Sequence, residues 1–121
     1  MAHEGLNSSA PHIINPAKVS DLKDWGVQPD MVEGQSHSSG VLLWKSADRK
    51  SESGLWVCTP GTWKLSLPSD ELCHFIDGHA TYTSDDGEVI DVTSGTVVHF
   101  KEGWAGQCVV HETLRNVYML R

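Results

Sequence analysis

A chain of 121 residues with nine Lys and Arg against sixteen Asp and Glu carries a net charge of −7 with histidine neutral, which repels phosphate backbones and excludes nucleic acid as an expected partner. The length suits one domain, and five Trp, two Tyr and two Phe supply bulk for its core, so wholesale disorder is not expected. No run approaches the roughly twenty apolar residues of a membrane-spanning helix, and Met1-Ala2-His3-Glu4-Gly5-Leu6 lacks the basic and apolar regions of a signal peptide. A cytoplasmic protein that avoids membranes is expected. The odd, widely spaced set Cys58, Cys73 and Cys108 fits free thiols in a reducing compartment and no disulfide framework or C-x-x-C signature.

In chain order, residues 1–12 are small and polar and read as a flexible tail. Residues 13–40 read as an N-terminal arm. Within it Asn15 caps, Pro16 occupies a first helical position and Gly26 stops, predicting one short helix ending at Trp25; Gln35 to Gly40 reads as a linker. Residues 41–121 divide into short β-prone runs: Val41 to Lys45, Leu55 to Thr59, Thr62 to Leu67, Leu72 to Ile76, Ala80 to Thr83, Glu88 to Val92, Thr96 to Phe100, Gly106 to His111 and Asn116 to Leu120. Pro60-Gly61, Asp77-Gly78, Asp86-Gly87 and Ser94-Gly95 separate them as turns. This is the pattern of an all-β barrel or sandwich.

Two glycine-anchored blocks carry a resemblance. Glu71-Leu72-Cys73-His74-Phe75-Ile76-Asp77-Gly78 resembles the first cupin motif, and Gly95 through Gly106 is similar to the second, with Lys101 where proline is usual. Gly54 to Trp63 and Val110 to Tyr118 narrow the likeness to a branch of short cupins that includes the ethanolamine-utilisation cupin and, more distantly, the ureidoglycine aminohydrolase cupins. The resemblance implies a double-stranded β-helix, an RmlC-like jelly roll, dimeric through its N-terminal strands.

The departures from the motifs bear on chemistry. Metal-binding cupins place histidines four and six residues before the motif Glu, where this chain has Leu67 and Leu65, and a third where it has Gly106. A metal ion needs several donors converging at about 2.0 to 2.6 Å. Of the four usual positions only Glu71 keeps a donor, so no metal cofactor is expected.

Glu71 is the candidate catalytic residue, since an inward carboxylate in an apolar barrel has a raised pKa and suits general acid or base work; it reads equally as a structural carboxylate. Cys73 and Cys108 fall by alternation on the faces of the old ligand positions, and with Trp104 and Arg115 they are the candidate ligand-binding residues. Trp104 is the tryptophan expected to touch a ligand, Trp56 and Trp63 being assigned to the core. Arg115 either pairs with Glu112 at a turn or forks onto a ligand carboxylate. Should a zinc or manganese ion bind, Glu71, Cys73, His74, Cys108 and His111 are the donors available. His3, His12 and His37 lie in loose segments and are assigned no role.

Three functions stay open: a binding protein for a small polar metabolite; a metal-dependent enzyme acting on a small nitrogenous or carboxylate compound; and a non-catalytic structural or regulatory homodimer.

Overall fold

Period-2 alternation with no helical repeat leaves the backbone one way to satisfy its polar groups, which is to pair strands. The computed structural model describes residues 4–121; Met1 to His3, part of the expected tail and the site of one dismissed histidine, lie outside them. After a 3-10 turn at Glu4–Asn7 come β1 (Lys23–Val27), β2 (Met31–Glu33), β3 (His37–Lys45), β4 (Glu52–Cys58), β5 (Gly61–Ser66), β6 (Glu71–Ser84), β7 (Val89–Val92), β8 (Val97–Phe100) and β9 (Ala105–Leu120). All pairings are antiparallel within one curled sheet of order β1-β3-β4-β9-β5-β2, with β6 joining β7, β8 and β9. The expected all-β jelly roll is present.

The two longest strands organise the barrel. The first half of β9 pairs with β5 and its second half with β4, while β6 runs alongside both halves. Asp77-Gly78, expected as a turn, is instead a bulge inside β6, where the register against β9 shifts. Gly78 has φ 94°, and a Cβ there would meet the Thr113 carbonyl oxygen at 2.2 Å, so the bulge needs glycine. The expected strands Gly106 to His111 and Asn116 to Leu120 are likewise one strand.

The expected helix is absent. Asn15 takes a left-handed φ of 53°, and the Lys18 N–H donates to the Asn15 carbonyl at 2.8 Å, closing a turn where a cap was expected. Lys23 to Val27 then pairs with β3, whose start at His37 replaces the expected linker. Pairing with an existing sheet edge outweighed a weak local helix preference.

Residues before β1 cover the outer face of the sheet. Val19, Val41 and Leu55 form a buried cluster there with Leu6, Ile13, Leu22, Ile76 and Val117 around it. Arg115 holds the arm in place, its Nη1 donating to the carbonyls of Pro16 at 2.8 Å and Val19 at 2.9 Å.

Candidate functional site

Alternation along β6 turns Glu71, Cys73 and Phe75 inward and Leu72 and His74 outward, and along β9 it turns Leu114, Asn116, Tyr118 and Leu120 inward. β4 contributes Glu52 and Trp56, and β5 contributes Trp63 and Leu65. Of the inward side chains all but Phe75 and Leu114 line a cavity of about 400 Å³, as do Tyr82 and Phe100. Its walls are largely aromatic. Trp25, Trp56, Trp63 and Tyr118 line it, and the Trp56 and Trp63 rings meet edge to face at 6.1 Å.

Trp25 reaches the mouth because β1 bulges between Asp24 and Gly26, and because Gly40 on β3 leaves room for its ring: a Cβ there would lie 2.6 Å from it. Behind this wall, Trp56 Nε1 donates to Ser38 Oγ at 3.2 Å, and that hydroxyl donates to Gln28 Oε1 at 2.7 Å.

The polar residues lining the cavity include Asp30, Glu52, Glu71, Ser66, Asn116 and Tyr118, and the Trp63 indole Nε1 on its wall is a buried donor with no partner. Tyr118 donates its hydroxyl to Glu52 Oε2 at 2.6 Å, and Lys45 pairs with the other Glu52 oxygen at 3.3 Å. Glu71 receives only the Cys73 thiol, at 3.3 Å on Oε2, and no cation among the described residues pairs with it. Burial raises its pKa, and the nearby Glu52 charge adds to the effect while the thiol hydrogen bond opposes it. Burial also pushes the Cys73 thiol well up, as does the Glu71 charge, with a hydrogen bond from Asn116 acting the other way. Cys73 is therefore a protonated donor and no thiolate nucleophile. Asn116 is 2% exposed, and its Oδ1 is buried with no hydrogen-bond partner.

Of the residues expected at the site, Glu71 and Cys73 line the cavity and the others lie elsewhere. Cys108 is fully buried in the packed half of the barrel, where burial first of all lifts its thiol pKa to about 12. Trp104 packs on Phe100 at 5.1 Å and Tyr82 at 6.2 Å without reaching the cavity. Arg115 grips the arm on the outer face, with no turn beside it and no route to a ligand in the barrel. Trp63 is buried in the core as expected and Trp56 packs against that core, and both also form part of the cavity wall. Trp25, Glu52, Asn116 and Tyr118 were not anticipated. Alternation alone would have exposed Asn116 as the polar residue in the inward series Leu114, Asn116, Tyr118, Leu120.

The metal positions of the cupin motifs do not fit a metal ion. Leu65 and Leu67 bring hydrocarbon to the cavity wall. Gly106 is not a vacancy, because a Cβ there would lie 2.1 Å from the Thr83 carbonyl oxygen. The alternative donors do not converge either: His74 and His111 are exposed on the outer face, and His111 Nε2 lies 2.9 Å from Thr81 Oγ1. Among the described residues no group of three or more His, Cys, Asp and Glu side chains is arranged to hold an ion.

Comparison with known proteins places this geometry among its relatives. Residues 45–118 match the EutQ-like cupin domain. The Clostridium difficile EutQ structure superposes with a TM-score of 0.60 at 21% identity, covering 70% of this chain and 68% of that one. The ethanolamine utilisation protein Q of Salmonella typhimurium gives 0.61 at 16% identity, over 78% and 72%. A DUF861-family protein of unknown function from Pseudomonas syringae pv. tomato gives 0.78 at 16% identity over 90% of this chain, which spans only 47% of that protein. No curated protein matches the chain in sequence.

Proposed function

The chain belongs to the EutQ-like cupin family, and on that premise we propose that it is a binding protein for a small polar molecule held in the open end of the barrel against Glu71. One observation carries this reading. A cavity of about 400 Å³ is lined by Asn116, whose buried amide oxygen has no partner. Leaving such a group unmade costs about 1–3 kcal/mol, a cost that a bound ligand donating to it removes. Aromatic walls with a few converging polar groups are the usual construction of a small-molecule site.

A thermal-shift screen of small polar metabolites tests the proposal, since any compound that binds only the folded state must raise its melting temperature. At least one compound is expected to stabilise the wild type and to lose that effect in Glu71→Gln. A screen in which every stabilising compound acts equally on both proteins would reject Glu71 as part of the site.

A dimer is the second reading, supported by a different surface. Trp44, Leu72 and Met119 are exposed on the outer face, and the register Trp44–Ser53–Met119–Leu72 sets them side by side across four strands. The adjoining β1 edge is free to pair with a second copy. Sedimentation of wild type and Met119→Lys tests it: a dimer that the substitution dissociates supports this face, and a wild-type monomer rejects the reading.

A further inference from the structure

Within the cavity just described, the balance between donors and acceptors is uneven. Three carboxylate residues, Asp30, Glu52 and Glu71, and Asn116 line it, against the Lys64 ammonium, the Tyr118 hydroxyl and the unpartnered Trp63 indole N–H. Glu52 is satisfied by Lys45 and Tyr118. Glu71 has only a thiol, and Asn116 Oδ1 has nothing. No arginine lines the cavity. Its one lysine, Lys64, is exposed on the rim, on the opposite face of β5 from Trp63 and Leu65.

A buried carboxylate without a counter-ion is costly, and the partner that relieves it carries positive charge and N–H donors. The walls favour the same chemistry. The π faces of tryptophan and tyrosine attract ammonium and guanidinium groups within about 6 Å, most strongly where water is excluded. An anion would meet the carboxylates of Asp30, Glu52 and Glu71, all of its own sign. A neutral amide could donate to Asn116 but would leave the Glu71 charge uncompensated.

We propose that the ligand is a small organic cation, an ammonium or guanidinium group on a compact carbon frame, which donates to Glu71 and Asn116 Oδ1 and stacks against Trp56 and Trp63. This rests on the reading of the cavity as a binding site. Cys73 acts as a positioning residue, donating to Glu71 Oε2, so that one carboxylate oxygen is fixed and the other is left for the ligand.

Three aromatic probes of similar size and different charge are compared: benzylammonium, benzamide and benzoate, titrated by calorimetry into the full chain at neutral pH. Benzylammonium is expected to bind at least tenfold more tightly than benzoate, with Glu71→Gln erasing that preference. Lys64→Glu, on an exposed rim position that leaves the core untouched, is expected to strengthen benzylammonium binding severalfold. Benzoate or benzamide binding as tightly as benzylammonium overturns the cation while leaving the cavity a binding site. Equal benzylammonium affinity in wild type, Glu71→Gln and Lys64→Glu also overturns it. Heat from none of the three probes, up to their solubility, overturns the site itself.

Discussion

The two halves of β9 face the same barrel and do different work. Cys108 and Val110 pack into the core cluster with Phe75, Tyr82, Val92 and Phe100, where aromatic rings meet at 5.0 to 6.0 Å; Leu114 and Tyr118 of the second half join the same cluster. Asn116 and Tyr118, one half-strand later, line a cavity that Asp30, Glu52 and Glu71 also line, and the Asn116 amide oxygen is buried without a partner. Both halves follow one alternation, so the pattern that builds the barrel does not decide which end is filled. The difference lies in side-chain volume and polarity at the inward positions. The packed half supplies core burial, while the open half leaves Asn116 Oδ1 without a partner and Glu71 with only a thiol, the features on which the proposed site rests.

The comparison breaks most sharply on the packed side. Phe75 is fully buried, and Phe75→Ala is expected to cost about 3–5 kcal/mol, read as a lower urea midpoint at unchanged slope. Gly106→His, which restores a motif histidine by name, is expected to cost about 1–3 kcal/mol by forcing a side chain against the Thr83 carbonyl, and to gain no zinc affinity in a metal titration. On the open side the sign changes. Asn116→Leu removes the orphan acceptor, so melting is expected to be unchanged or raised while stabilisation by any ligand is lost. A large loss of stability in this variant would show Asn116 to be a structural residue.

The smallest effect is on pH dependence. Because burial raises the Glu71 pKa in the folded state, the folded protein holds that proton where the unfolded chain has released it. Its contribution is fully present below the ordinary glutamate value of 4.5 and is lost as pH rises through the raised folded value. Glu71→Gln is therefore expected to flatten the decline in stability just above that ordinary value, measured by denaturant titration across the acidic range.

The sequence made the barrel legible because strand alternation and turn residues are local signals; Glu71 followed from its match to the first cupin motif, and Cys73 from the parity of that strand. Other features depended on contacts distant in the chain. Trp25 sits where Asn15, Pro16 and Gly26 imitate the punctuation of a helix, and only pairing with β3 and the bulge after Asp24 reveal its place at the cavity mouth. Arg115 was misassigned because its partners are carbonyls of Pro16 and Val19, which no spacing rule connects to it. Cys108 and Trp104 point inward as expected but belong to the filled half, a distinction that depends on which bulky neighbours reach them. Asn116 was readable and overlooked.

The central claim is that the open end of the barrel is a ligand site. Nitrogen-15 NMR during titration with a mixture of small polar compounds tests it most directly, because the Asn116 side-chain amide and the Trp56 and Trp63 indoles report from inside the cavity. The account predicts concerted shifts of these three signals in the wild type, lost in Glu71→Gln. Shifts confined to the outer face around His74 and His111, with the cavity signals unmoved, would contradict it.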